Sequence, residues 1–428
     1  MPGEKDLLRF ITAGSIDDGK STLIGRLLYE TNGIYKDQLL SIEKIAEKRG
    51  ESQPDLALIV DGLKSEREQG ITIDVAYRYF STEKRKFIIA DSPGHIQYTR
   101  NMVTAASTAD LAIVLVDVRK GILEQTKRHS FIATLLGIHH ILVVVNKMDL
   151  VGYSEDIFER IKEDYLDFSS RLQAHDIQIM PISALKGDMI IERGTNMSWY
   201  KGATFLNYLE NINIMSDRNL IDFRFPVQTV IRPNLDFRGY AGRVESGVIK
   251  KGDDIAVLPS GKKSRIKSIV SYDGEVSEAF VPQSVVLTLE DELDIGRGDM
   301  LIRQRNIPEI KDEFEAEVCW LADEPMKEGS RYLLRHTTNT VSAFIKELRY
   351  RIDINTLHRQ ESKELSLNDI GRVVIKTQKP IMFDPYVRNH PTGSFIIIDE
   401  LTSATAGAGV IWYPSGTLPE VDNTVMYV

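Results

Sequence analysis

Four short stretches of this sequence, with a fifth segment between the first two, carry residue types whose order suits chemistry on a phosphorylated ligand. The first, Gly14-Ser15-Ile16-Asp17-Asp18-Gly19-Lys20-Ser21, followed by Thr22, has the spacing G-x-x-x-x-G-K-[ST]. Glycines there let the backbone wrap phosphates with its N–H groups, while a helix starting directly behind the loop turns its positive end toward them. Lys20 is placed to reach β- and γ-phosphates, and Ser21 to set its hydroxyl on a Mg²⁺ that bridges the same two groups. The second stretch is Asp91-Ser92-Pro93-Gly94-His95. A carboxylate at Asp91 suits the same Mg²⁺ through a water, Gly94 can turn its N–H toward a γ-phosphate, and His95 follows one residue later. Between the two lies Gly70-Ile71-Thr72-Ile73, where Thr72 can offer its hydroxyl to Mg²⁺ and its backbone to the γ-phosphate, as a segment ordered by the triphosphate does. Ile16 and Ile71 are either an apolar gate in front of His95 or simple packing.

The third and fourth stretches address the base. In Asn146-Lys147-Met148-Asp149 the Asp149 carboxylate can accept both the exocyclic amine and the ring N–H of guanine, a pair that adenine does not present. Asn146 would brace the loop and the stem of Lys147 would cover the base. Ser183-Ala184-Leu185 would supply a backbone N–H to the guanine oxygen. Buried polar groups left unpaired by the wrong base can discriminate by factors of about 10⁴ to 10⁵. GTP is therefore the expected ligand.

These stretches need rigid elements behind them. Leu7 to Ala13, Phe87 to Ala90, Leu111 to Val116, Ile141 to Val145 and Ile177 to Ile182 are consecutive runs of aliphatic residues, as strands buried on both faces must be. Stretches long enough for crossover helices separate them, and Leu23, Ile24, Leu27 and Leu28 fall on one helical face after the first loop. That is the pattern of a mostly parallel α/β sheet. After about residue 216 the texture changes to short β-type runs split by turn signals such as Pro259-Ser260-Gly261-Lys262. Phe225 to Ile231, Gly242 to Val244, Asp254 to Leu258, Ser284 to Leu289 and Asp299 to Ile302 predict one β unit. Phe314 to Leu321, Arg331 to Arg335, Ser342 to Asp353, Gly371 to Thr377 and Ser394 to Leu401 predict a second. Such spacing suits closed barrels, which leave no strand edge unpaired. The expected organisation is an α/β P-loop GTPase domain (1–216) followed by two all-β barrel domains (217–306 and 307–428), with little pattern after about Trp412.

Composition narrows the class. At 428 residues the chain is too long for one ordinary core. A net charge of -9 argues against a broad nucleic-acid surface, which needs clustered Lys and Arg. The lone Cys319 excludes an internal disulfide and fits a reducing compartment. The start of the chain lacks the pattern of a signal peptide, and no apolar run reaches about 18 residues. A cytoplasmic protein without a membrane segment is the expectation.

With Lys20, Thr72, Asp91, Asn146 and Ser183 in this order, the chain resembles the translation-factor GTPases over nearly its whole length. That resemblance implies a role for His95 in orienting the attacking water. Elongation factors of this group carry G-H-V-D-H-G-K in the phosphate loop, whereas this chain has neither histidine there. Asp55-Leu-Ala-Leu-Ile-Val-Asp-Gly-Leu63, Tyr98-Thr-Arg-Asn-Met102, Arg232-Pro-Asn-Leu-Asp-Phe-Arg-Gly-Tyr-Ala241 and Arg349-Tyr-Arg-Ile-Asp-Ile-Asn355 resemble instead the family of large, GTP-binding subunits of bacterial sulfate adenylyltransferase. This second resemblance implies GTP hydrolysis coupled to formation of adenosine 5'-phosphosulfate and pyrophosphate from ATP and sulfate. The adenylyl transfer would take place on a smaller catalytic sulfate adenylyltransferase subunit. The alternative is an elongation factor delivering aminoacyl-tRNA. No second phosphate loop follows, so the adenylylsulfate kinase fused to some relatives is not expected. Ser92 stands where Thr is usual in the family; either fits a short turn. The loop Asn234 to Tyr240 reads as barrel turn and core or as a partner contact.

Overall fold

The computed structural model describes residues 6–31, 33, 56, 74–95, 98–170, 172, 176–214, 218–234 and 237–414. Gly70, Ile71, Thr72 and Ile73 lie outside them. The chain divides into two compact units, the first comprising the residues up to Ile214 together with Ile354–Leu357.

The first unit is built on six strands: β1 (Leu7–Gly14), β2 (Ala76–Ser81), β3 (Lys86–Asp91), β4 (Leu111–Asp117), β5 (His140–Asn146) and β6 (Asp176–Pro181). They lie in the order β2-β3-β1-β4-β5-β6. Every pairing is parallel except β2 with β3. The five parallel strands are those the aliphatic runs predict, and every residue of β4 is buried. The sixth, β2, is an antiparallel edge of sequence Ala-Tyr-Arg-Tyr-Phe-Ser that buries only Phe80 fully. Its alternating polar side leaves no aliphatic run to read, so the sequence analysis did not find it. Helices α1 (Lys20–Glu30), α2 (Thr99–Ala106), α3 (Glu124–Leu135), α4 (Glu155–Ser169) and α5 (Phe205–Asn211) connect and flank the sheet. Leu23, Ile24, Leu27 and Leu28 form the buried side of α1, as their spacing requires. Because β3 and β4 lie on opposite sides of β1, the crevice at the carboxyl end of β1 is a topological switch point, where open α/β sheets bind ligands.

The second unit holds two closed antiparallel barrels. In the first, strands 224–231, 239–243, 284–289, 262–271, 254–258 and 300–303 pair in a ring around Phe225, Tyr240, Ile255, Ile266, Leu287 and Leu301. In the second, strands 309–320, 370–383, 339–352, 331–336, 394–398 and 405–414 close around Phe314, Val318, Trp320, Val373 and Phe395. Both rings contain one strand that the aliphatic pattern missed. The run 262–271 is Lys- and Arg-rich on its outer side, and 405–414 begins Thr-Ala-Gly-Ala-Gly. Within this unit Arg224 makes two 2.8 Å bonds to Asp384, both side chains buried, and Arg388 makes two 2.8 Å bonds to Asp222. Among the described residues no helix is long and apolar enough to cross a membrane.

Candidate functional site

The phosphate loop leaves β1 at Gly14 and enters α1 through Gly19. Gly19, at φ 94°, and Asp17, at φ 64°, both adopt left-handed backbone, which costs glycine nothing and aspartate little. Lys20 is buried and its Nζ donates to the carbonyls of Gly14 (3.0 Å) and Ser15 (2.9 Å), so the ammonium sits inside the ring of its own loop. Burial pushes its pKa down, against the pull of Asp91 and Asp18. Asp18 is buried as well, and its carboxylate accepts from the Ser15 N–H at 2.6 Å. Burial raises its pKa while Lys20 opposes the rise. Ser21 and Thr22 are half-buried in the first turn of α1, and Ile16 is exposed at the loop tip.

Asp91 closes β3 fully buried, with its Oδ1 accepting from the Thr12 hydroxyl at 2.9 Å. The Ser92 hydroxyl donates to the Thr12 carbonyl at 2.6 Å. The Ser92 N–H donates to the same carbonyl at 3.4 Å. Pro93 and Gly94 are buried behind it. A Cβ on Gly94 would stand 2.6 Å from Lys20 Nζ and 3.0 Å from the Gly14 carbonyl, so this glycine lies directly against the phosphate loop. His95 is half-buried next to it, its ring edge-on to Tyr98 at 6.1 Å. Among the described residues no three His, Cys, Asp or Glu side chains gather as a metal cage. The donors on offer, a serine hydroxyl at the head of α1 and the Asp91 carboxylate beside Lys20, are hard oxygens. They suit Mg²⁺, which takes only one or two protein ligands and completes its shell with phosphates and water.

At the other end Asn146 is the hub. Its Nδ2 donates to the Asp18 carbonyl at 2.9 Å, while its Oδ1 accepts from the Lys147 N–H at 2.8 Å and the Ala184 N–H at 3.0 Å. One buried amide thereby ties the phosphate loop, the end of β5 and the Ser183-Ala184-Leu185 loop together. Lys147, at φ 66°, donates to the Asp17 carbonyl and pairs with Asp117 at 3.0 Å. Met148 is buried beneath the loop. Asp149 accepts from the Ser183 hydroxyl at 2.6 Å, which orients its carboxylate. Hydrogen bonds thus join the phosphate loop, the Asn146–Asp149 segment and the Ser183–Leu185 loop, and Gly94 lies against the first of them.

Four residues that sequence reasoning did not single out belong to the same structure. His129 on α3 is buried and accepts the Gly14 N–H on Nδ1 at 3.0 Å, which requires the neutral ring. Burial, with Lys20 and Arg128 nearby, holds its pKa down at about 3. Asp117 accepts three hydrogen bonds from Arg119 and one from Lys147. Burial works to raise its pKa, yet these donors hold it well below the usual carboxylate range. Lys120 donates to the Ile16 carbonyl at 3.1 Å. Arg26 on α1 reaches the carbonyls of Ala184 and Leu185. The only signal for Asp117 in the sequence was its place at the end of a buried strand; the others sit in helices or loops with no local pattern.

The chain matches three family descriptions in succession: "Elongation factor Tu GTP binding domain" over residues 5–223, "Elongation factor Tu domain 2" over 240–302 and "GTP-eEF1A C-terminal domain-like" over 313–412. It is similar to "Sulfate adenylyltransferase subunit 1" of Alteromonas mediterranea, 55% identical over 95% of this chain and 87% of that protein. The protein of the same description from Bacteroides fragilis is 53% identical over 95% of this chain and 86% of its own length. The "Bifunctional enzyme CysN/CysC" of Rhodopirellula baltica is 55% identical over 95% of this chain, which spans 64% of it.

Proposed function

Because this chain belongs to the sulfate adenylyltransferase subunit 1 family, built on an elongation factor Tu-type GTP-binding domain, we propose that its GTP hydrolysis drives adenylyl transfer on a smaller partner subunit. The transfer joins the adenylyl group of ATP to sulfate, giving adenosine 5'-phosphosulfate and pyrophosphate. That anhydride is strongly uphill to make, and a second nucleotide hydrolysis is a source of the missing free energy.

The observation that carries this reading is the double attachment of Asn146. A nucleotide site needs its phosphate cradle and its base pocket at a fixed separation, and a single buried amide bonded to both fixes it. In this reading the loop N–H groups from Gly14 to Ser21 and the Lys20 ammonium hold the phosphates. Lys20 exchanges carbonyl partners for phosphate oxygens, a stronger charge-assisted contact. Ser21, Thr72 and Asp91 would hold Mg²⁺, which when bound neutralises charge between the β- and γ-phosphates. Gly94, lying against the loop, offers its N–H to the γ-phosphate, and His95 orients the attacking water. Asp149, held by Ser183, accepts from the guanine amine and ring N–H. Cys319, buried and outside any disulfide, fits a reducing compartment, and we place the protein in the cytoplasm.

Purified chain mixed with its small subunit, ATP, sulfate and Mg²⁺ should form adenosine 5'-phosphosulfate only when GTP is added, with GDP released. Product formation indifferent to GTP would defeat the coupling. Retention of aminoacyl-tRNA by the GTP-loaded chain in a filter assay would point instead to an elongation factor.

A further inference from the structure

The loop from Ser183 to Gly187 is fixed peptide by peptide, and one of its amides is left over. Ala184 N–H donates to Asn146 Oδ1 at 3.0 Å, Lys186 N–H to the Ser183 hydroxyl at 3.2 Å, and Gly187 N–H to the Ser183 carbonyl at 2.8 Å. Among the described residues the Leu185 N–H meets no acceptor. Its direction is nonetheless determined. A trans peptide is planar, with C=O and N–H pointing oppositely, so whatever holds the Ala184 carbonyl aims the Leu185 N–H. Arg26 holds it.

From α1, Arg26 Nε donates to the Ala184 carbonyl at 3.1 Å and Nη2 to the Leu185 carbonyl at 2.5 Å, while Nη1 pairs with Glu30 one turn on at 3.5 Å. The planar guanidinium fork uses three of its nitrogens at once, which a point-charge ammonium cannot do. The fit is close: a Cβ on Gly187, whose φ is 87°, would come within 3.1 Å of Glu30 Oε1. The helix that begins at the phosphate loop thus also grips the base loop, through carbonyls that Asn146 does not use.

We infer that Arg26 is a positioning residue for base selection, aiming the Leu185 N–H at the 6-oxo group of the purine through the peptide plane it anchors. The inference rests on the nucleotide-site reading above. It separates two contributions to selectivity: Asp149 reads the amine and ring N–H, and Arg26, through Leu185, serves recognition of the oxygen.

The test is equilibrium binding of GDP, IDP and ADP to the full chain and to Arg26→Ala, Arg26→Lys and Glu30→Gln. GDP and IDP share the 6-oxo group, IDP lacks the 2-amine, and ADP lacks both. Arg26→Ala should weaken GDP and IDP in parallel by about tenfold, the scale of one hydrogen bond, and leave ADP unchanged, so guanine-over-adenine selectivity falls by the same factor. Arg26→Lys should restore part of the loss, and Glu30→Gln should show a smaller fall with the same pattern. An equal loss for all three nucleotides, or none, would overturn the inference. Should the alanine variant not fold, the same patterns in the other two decide. A wild-type chain that binds ADP as well as GDP would instead overturn the nucleotide-site reading itself.

Discussion

The two ends of the nucleotide crevice are held by different means. At the base end, side chains fix backbone: Asn146, Asp149 and Arg26 all bond the Ser183-to-Leu185 segment, and Lys147 is set between Asp17 and Asp117. At the phosphate end, backbone surrounds a side chain: the Gly14 and Ser15 carbonyls encircle Lys20, and Gly94 approaches with no side chain at all. Preorganised polar groups favour discrimination, because a wrong ligand leaves them unpaired. A cation held only by neutral carbonyls favours exchange, because phosphate oxygens bind it more strongly. On the function proposed above, selectivity and turnover belong to opposite ends of one site.

That division can be broken from either side. The largest effect is expected at the base: Asp149→Asn should exchange GTP for xanthosine triphosphate as preferred substrate, with selectivity moving by as much as about 10⁴ and turnover of the new substrate retained. Competition binding with the two triphosphates measures it, and retained GTP preference would refute the assignment. At the phosphate end, His95→Ala should slow hydrolysis by about 10² to 10⁴ while GTP affinity holds, as for other groups that orient or deprotonate water. Single-turnover rates beside equilibrium titration separate the two quantities. Asn146→Ala strikes both ends together, since it frees the Asp18 carbonyl and the Ala184 N–H; roughly a hundredfold loss of GDP affinity is expected, on the scale of two buried groups left unpaired. If only base selectivity changed, the amide would not be linking the two ends.

The smallest effect lies behind the phosphate loop and depends on pH. His129 has its folded pKa held at about 3, below the unfolded value of about 6.5. The unfolded chain therefore takes up the proton first, and this residue's contribution to stability is intact above about pH 6.5 and lost progressively as pH falls toward 3. Between pH 7 and 5 the loss is about 2 kcal/mol. Denaturant unfolding at both pH values should show it for the wild type and not for His129→Gln; equal pH dependence in the two proteins would place the sensitivity elsewhere.

What could be read in advance follows from how local each signal is. Strands β1, β3, β4 and β5 are mostly buried on both faces, so their aliphatic runs announce them, the edge strand β6 keeps a shorter run, and the residues at the carboxyl ends of these strands are the ones whose types identified the site. The edge strand β2 and the strand 262–271 expose one polar side, which removes the run. Strand 405–414 fails for another reason: the ring of Phe395 lies where a Cβ on Gly409 would stand, at 2.4 Å, so packing demands a glycine where strand propensity would disfavour one. His129 and Arg26 were illegible because their partners are 115 and 158 residues away in sequence. Thr72, Ile71 and most of the segment resembling other family members between 55 and 74 lie outside the described residues, so their assignments rest on the sequence.

Gly94 sets a limit on variation. Every replacement available to it adds at least one carbon, and that carbon would fall 2.6 Å from the Lys20 ammonium. With the Gly14 carbonyl and the Ile16 N–H also at 3.0 and 3.1 Å from that carbon, a saturation library at this codon should accordingly rank its members by side-chain size, the parent first and alanine next, and so form a graded reference set against which variants elsewhere in the gene can be placed.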